Sequence, residues 1–398
     1  MSRHHLTISP LRSSNRGGVS RVSAIVDGSE LWFESADVVL RPSSEAFVNA
    51  FLIPAAAQGR QLVAADPVAA DFAANLPRVL DVTARWWDYA RLLPKLDTVA
   101  AGARQGERKG RSEVRAGAAL CFSGGVDSFH SLLADGHEVD ALVFVHGFDV
   151  KLDDTERAAA IQQHVRAVAR EVGARPLFIR TNVREHPAFR AAPWSNTHGG
   201  ALAAIGHLLS EAWGTLLISA SYSVADHKTW GSHWELDPHW SGAGLRVEHV
   251  GAQYRRTEKL AALKDHPLVH RYLRVCWENR SHRFNCSRCE KCIRNQVLLA
   301  GFGALDSFEV FEPSSTLSER VDAVECIRIE GLFRRYEQAL ELGLPYDVDA
   351  AVRRLLSRSR RALLHRRIGH ARSYAAAVAR RILHLGRTDS RASAGHPG

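Results

Sequence analysis

The sequence predicts an α/β protein: a Rossmann-like parallel sheet with helices on both faces, a small N-terminal α+β domain before it and a helical C-terminal region after it. Three observations carry this. Between residues 118 and 223, apolar runs without clean alternation recur with helical segments between them, the pattern of strands buried on both faces of a parallel sheet. The first run ends in a Gly-rich turn that opens a helix. The 398 residues, 45% hydrophobic and 24% charged, suffice for two or three domains and exclude a disordered, collagen-like or disulfide-dense chain.

Taken in order, residues 1–100 alternate short apolar runs, VSAIVDGSELWFES and ADVVLRP, with a helix around AFVNAFLIPAAA. These make the small α+β domain, whose residues disclose no chemistry. AAGARQGERKGRSEVRAG (100–117) has the composition of a linker. AALCF (118–122) is then the first parallel strand, followed by the helix SFHSLLADG, and DALVFVHGF (140–148) is the second. TERAAAIQQHVRAVAREVGA has apolar residues at helical spacing and leads to RPLFIRTNV (175–183). A helix through HGGALAAIGHLLSEAWG precedes TLLISASYS (215–223), and RRTEKLAAL (255–263) starts another helix. The organisation expected is an N-terminal domain over 1–100, a ligand-binding α/β domain over 116–265, a metal-binding segment over 266–312 and a helical region over 313–398. In such sheets ligands lie beyond the carboxyl ends of the strands.

The net charge of +9 is unevenly placed. Residues 351–398 hold twelve arginines and one acid, Asp389, a charge of +11, which leaves −2 for the first 350 residues. Basic charge suits nucleic acid or an anionic membrane, so a nucleic-acid partner concerns the tail and not the body. Apolar residues at 355, 356, 363, 364, 368, 378, 382 and 385 make the tail one or two basic helices. These fit docking on the body, an acidic partner, RNA, a membrane surface, or a solvated appendage. MSRHHLTISPLRSSNRGG contains no apolar signal core, and no stretch reaches the roughly 18 apolar residues of a membrane span. A cytoplasmic protein without a transmembrane segment is expected.

Ser123, Gly124, Gly125, Val126, Asp127 and Ser128 stand directly after the first strand and before a helix. Paired glycines let the backbone turn tightly and present successive N–H groups to an anion, Ser123 and Ser128 add hydroxyls, and the helix N-terminus favours negative charge. Asp127 fits either a helix start or a ligand for the Mg²⁺ that accompanies a nucleotide. The loop lacks the Gly-Lys-Ser/Thr ending of a Walker A motif.

Four of the six cysteines fall within seventeen residues: Cys276, Cys286, Cys289 and Cys292. Four thiolates satisfy tetrahedral Zn²⁺ in a closed, structural site; an iron–sulfur cluster is the alternative. Cys121, just before the loop, is either a packed strand residue or a persulfide carrier.

SGGVDS resembles the PP-loop of the ATP pyrophosphatase superfamily. With CSRCEKCIR downstream, the chain is similar to the branch typified by 7-cyano-7-deazaguanine synthase, over residues 116–300. The resemblance implies a PP-loop domain that binds ATP with Mg²⁺ and cleaves it between the α and β phosphates. A four-cysteine Zn²⁺ site would follow, and then an arginine, here Arg294. It places Arg256 and Glu258 where relatives have a Lys-x-Glu helix start, with Arg256 on the leaving pyrophosphate and Asp127 and Ser128 beside it. A solvated helix face is the plainer reading of that pair. The stretch ISASYSVADHKTWGSHWELDPHW departs from the deazapurine enzymes, so their substrate does not carry over.

In that stretch Asp226, His227, Lys228, Trp230 and His233 are the candidates for the substrate, with Asp237 and His239 nearby; an irregular loop with Trp anchors is the plainer reading. His146, Asp149, Asp153 and His198 are candidates for lining the nucleotide pocket. The expected activity is an AMP-forming, ATP-dependent ligase: it adenylates a substrate oxygen, releases pyrophosphate and transfers nitrogen from ammonia or an amine. Sulfur insertion and tRNA modification are the alternatives.

Overall fold

The structure, a computed structural model, describes residues 4–100, 117–279 and 283–366. They divide into two compact units, Met1–Phe284 and Asn285–Gly398. The linker reading of 100–117 and the tail beyond residue 366 lie outside the described residues, apart from residues 100 and 117 themselves.

The first unit contains β1 (His5–Ile8), β2 (Arg12–Arg16), β3 (Val19–Val26), β4 (Ser29–Ser35), α1 (Ser44–Ala57) and β5 (Gln61–Ala64). Next come β6 (Val68–Ala69), α2 (Ala70–Ala73), α3 (Leu76–Trp87) and β7 (Thr98–Val99), with β6 and β7 pairing on their own. The α/β core follows as β8 (Ala118–Cys121), α4 (Val126–Leu133), β9 (Ala141–His146), α5 (Thr155–Val172), β10 (Arg175–Thr181), α6 (Trp194–Leu209), β11 (Thr215–Ser219), β12 (Arg246–Val250), α7 (Arg256–Leu263) and α8 (Pro267–Tyr272).

Five of these strands, in the order β12-β11-β8-β9-β10, are parallel throughout. Strand order reverses at β8 and β11, the doubly wound arrangement in which a crevice opens at the carboxyl ends of the two strands. On one face Leu216, Ile218 and Val247 share a buried cluster with Phe51 of α1 and Ile205 and Leu208 of α6. The alternate residues face α4, which packs on β8 and β11, and α5, which packs on β9 and β10.

The sequence sets residues 1–100 apart as a domain, but their strands continue the same sheet. β4 pairs antiparallel with β10 (Phe33↔Thr181, Glu34↔Arg180), and β3, β1 and β5 follow outward. Two physical needs are met by this pairing: β10 would otherwise be an open edge, and α1, apolar around its whole circumference, needs cover on every side. β3 and β4 join through Asp27 and Gly28 at φ 49° and 88°, the left-handed pair that a two-residue hairpin turn requires. β12, RVEHV, is a fifth parallel strand that the hydrophobic pattern did not announce.

The second unit is helical: α9 (Glu290–Gly301), α10 (Leu317–Asp322), α11 (Phe333–Leu342) and α12 (346–366). The described part of the Arg-rich tail is built into this unit. Ala351, Val352, Leu355 and Leu356 of α12 are buried. Arg358 donates to the carbonyls of Val321 (2.9 Å), Asp322 (3.0 Å) and Val324 (2.6 Å), capping the carboxyl end of α10 and the turn after it. Arg354 pairs with Asp322 at 2.5 Å. No helix among the described residues is long and apolar enough to cross a membrane.

The α1–α6 contact depends on Gly200, where a Cβ would stand 2.4 Å from the Asn49 carbonyl oxygen. Gly200→Ala is therefore expected to push the helices apart at a cost of about 1–3 kcal/mol, read as a lower urea midpoint with an unchanged m-value.

Candidate active site and metal centre

The Ser123–Ser128 loop leaves β8 at the reversal of strand order. Gly124 takes a left-handed φ of 75°, and its carbonyl accepts from the Arg274 N–H at 2.7 Å. A Cβ on Gly124 would meet Tyr272 O at 3.5 Å and Arg274 Cβ at 3.6 Å, so the 272–274 segment lies directly against the loop. Gly125 is the N-cap of α4, without a side-chain cap. Ser128 is buried and donates to Gly125 O (3.1 Å), which braces the turn from inside, and Val126 is fully buried beneath it.

Asp127 is neither an N-cap nor solvent-facing. Its Oδ2 accepts from Arg256 Nη1 at 2.6 Å, and Lys259 Nζ is 3.7 Å from its Oδ1. Lys259, 1% exposed, also donates to the carbonyl of Ala220 at 2.7 Å, just past the end of β11. Burial lowers the pKa of this ammonium and the carboxylate of Asp127 opposes that shift. Two cations from one face of α7 thus converge on the carboxylate of the loop. Glu258 instead accepts from the Arg255 N–H (2.6 Å) at the start of α7. The i, i+3 spacing of Arg256 and Lys259 carries the signal for this pair; reading the motif as Arg-x-Glu missed Lys259.

A cavity of about 190 Å³ opens over the loop. Its walls are Cys121, Phe122, Ser123, Asp127 and Ser128 after β8, Val143 to Val145, Phe148 and Asp149 from β9 and its exit, and Ile218, Ser219 and Ser221 from β11. Ser219 Oγ donates to Ser131 Oγ at 2.9 Å, tying β11 to α4. Cys121 forms part of the wall, yet burial, with Asp237 adding to it, pushes its thiol up to about 12. Asp149 lines the cavity; His146 is buried against Lys151 O (2.7 Å), and Asp153 is exposed away from it.

The candidates for the substrate divide. Asp226 closes a capping box with Ser223 (Oγ–Oδ2 2.8 Å), and His227 beside it is exposed at φ 40°. Lys228 donates to Tyr222 Oη at 2.8 Å, its ammonium lying 4.5 Å from the Tyr222 ring and 4.7 Å from the Trp230 ring. Trp230 meets His198 at 5.5 Å. His233 is buried, stacked on Trp234 at 3.5 Å and edge-on to Trp86 at 4.6 Å, and burial lowers its pKa to about 4. It is a neutral packing residue. None of these five lines the cavity; the segment carrying them is pinned to α6 by Gly199, where a Cβ would sit 1.9 Å from Gly231 O.

The thiols of Cys276, Cys286, Cys289 and Cys292 are buried and lie within 4.8 Å of one another. Cys286 and Cys292 sulfurs are 3.9 Å apart. Zn–S bonds of about 2.3 Å in a tetrahedron give S–S edges of about 3.8 Å. The Cys289 N–H points to Cys286 Sγ (3.3 Å) and the Cys292 N–H to Cys289 Sγ (3.4 Å), which orient the thiols. The group can therefore hold a single metal ion such as Zn²⁺; a four-iron cluster would hold its thiolates further apart. Arg294, in the following turn, pairs with Glu290 at 3.4 Å, and Glu290 accepts from Tyr336 Oη at 3.2 Å.

Comparison of the chain with protein-family models, with curated proteins and with solved structures found no match.

Purified protein is expected to carry about one Zn²⁺ per chain by elemental analysis, and Cys289→Ala to lose it with a lowered melting temperature. Stoichiometric iron with visible charge-transfer absorption would overturn this. Because Cys276 follows Arg274 by two residues, stripping the metal is also expected to loosen the segment that braces Gly124.

Proposed function

We propose that the chain is an AMP-forming, ATP-dependent ligase of the PP-loop type. The observation that carries this reading is the cavity at the reversal of strand order, lined by Ser123, Asp127 and Ser128 of the loop, with Arg256 and Lys259 on the carboxylate of Asp127. A triphosphate needs backbone N–H groups and fixed cations; the turn at the N-terminus of α4 and the Arg256–Lys259 pair on Asp127 support its binding here. The near-neutral body agrees: anion binding at this place depends on local geometry and not on net charge.

In the proposed reaction the loop holds the β and γ phosphates of ATP. A substrate oxygen attacks the α-phosphorus, forming an O–P bond as the bond to pyrophosphate breaks. Arg256 and Lys259 take the charge that develops on the leaving group, exchanging Asp127 for phosphate oxygens. Asp127, released from that pairing, and Asp149 are the carboxylates on the cavity wall that would hold Mg²⁺, which neutralises phosphate charge when bound. A nitrogen nucleophile then displaces AMP. The chemistry asks mainly for positioning and charge neutralisation. Nitrogen is better supported than sulfur as the incoming atom, because a thiol held at about 12 is a poor persulfide carrier at neutral pH.

Incubated with Mg-ATP and a protein-free cell extract, the protein is expected to release AMP and pyrophosphate; ADP as the product would overturn the reading. Arg256→Ala and Lys259→Met should each weaken ATP binding by about 10- to 100-fold in calorimetry, the loss of one charge-assisted contact. Unchanged affinity in both variants would place the triphosphate elsewhere.

A further inference from the structure

Beside the phosphate-binding half of the cleft stands a second polar cluster that the loop does not use. Asp237 is 0% exposed, and its Oδ2 accepts from His249 Nδ1 at 2.7 Å and from Ser232 Oγ at 2.6 Å. The His249 side chain is 2% exposed. With Nδ1 donating to the carboxylate, the neutral ring carries its lone pair on Nε2. Asp237 Oδ1 has no hydrogen-bond partner among the described residues, a costly state for a buried carboxylate.

The register places this imidazole. Leu120 pairs with Leu217, so Cys121 and Ile218 are the next neighbours along β8 and β11, and Ile218 pairs with His249 of β12. Partners in a parallel pair project to the same face of the sheet. Cys121, Ile218 and His249 therefore form one row at the carboxyl end of the sheet, and the first two line the cavity. The other titratable groups near it are His198 of α6 and His233. Burial lowers the pKa of both, which favours neutral rings. Trp234 lies 6.5 Å from His249 and shields that side.

A Ser-His-Asp hydrolase is a poor description of this cluster. Ser232 bonds to the same carboxylate oxygen as His249 and sits 3.4 Å from Nδ1, so it is not on Nε2, where a nucleophile would have to be.

We propose that His249, oriented by Asp237, is the general base of the second half of the reaction. Nε2 takes a proton from the nitrogen nucleophile as the nitrogen lone pair bonds to the adenylated carbon. The bond from that carbon to the AMP oxygen then breaks, and its electron pair leaves with AMP. Asp237 is the positioning residue, which fixes the tautomer and balances the imidazolium. This assignment rests on the adenylation reading above.

Two measurements on the full chain test it. Ring ¹⁵N NMR with labelled histidine, assigned through His249→Gln, is expected to show a neutral Nδ1–H tautomer at pH 7.5 that Asp237→Asn abolishes. A proton on Nε2, or a charged ring, would overturn the proposal. Second, pyrophosphate–ATP exchange and AMP-coupled product formation are compared with protein-free extract as the substrate source. His249→Gln is expected to keep exchange within about threefold of wild type while product formation falls by about 10²- to 10⁴-fold, the usual worth of a positioned base. A parallel loss of both, which a structural role would give, or a loss of neither, overturns it. Absence of exchange in the wild type would instead reject the adenylation reading, leaving the NMR result to judge the dyad by itself.

Discussion

β8 and β11 are hydrogen-bonded neighbours whose connections part company. From β8 the chain turns through Ser123–Ser128 into α4 on one face of the sheet, while β11 is reached through α6 on the other. No connection bridges the carboxyl ends of these two strands, so a crevice stays open there. Every feature of the site depends on that divergence. It sets the glycine turn at the carboxyl end of β8, brings Ser219 to Ser131, and lets Arg256 and Lys259 of α7 meet Asp127, with Lys259 also reaching the Ala220 carbonyl.

The two sides of the crevice are chemically unlike. On the α4–α7 side, a carboxylate and two cations compensate one another at low exposure. On the α6–β12 side, tryptophans and neutral histidines surround the single buried carboxylate of Asp237. The sheet row Cys121, Ile218 and His249 connects the two. Glycines set the distances: Gly124 against the 272–274 segment, Gly199 against Gly231, Gly200 against α1. Side chains at those places would separate elements whose contacts hold the site.

The basic charge that gives the chain its pI of 9.5 is concentrated in residues 351–398, which carry +11 against −2 for the rest. In α12, Arg354 pairs with Asp322 and Arg358 donates to carbonyls at the end of α10, so those two are structural cations. Arg353 and Arg360 of the same helix are exposed but paired with Asp349 (2.5 Å) and Glu337 (2.7 Å).

Much of this was legible in the residues themselves. Continuous apolar runs mark β8 to β11 because strands covered on both faces need no polar alternation. The SGGVDS turn and the cysteine spacing are local, since a few adjacent residues make a tight turn or point three thiols one way. Other features are not written locally. RVEHV has too few apolar residues to announce a strand, and only a neighbour, β11, makes it one. The joining of β4 to β10 is a choice of edge that periodicity does not encode. Lys259 and His249 look like an ordinary surface lysine and a loop histidine until packing buries one against Asp127 and the other against Asp237. The sequence by itself determined most element types, the glycine turn after β8 and the clustered thiols, because these follow from spacing along the chain. Tertiary structure alone decided which charges meet across the crevice, because strand order and helix packing bring together residues over a hundred positions apart.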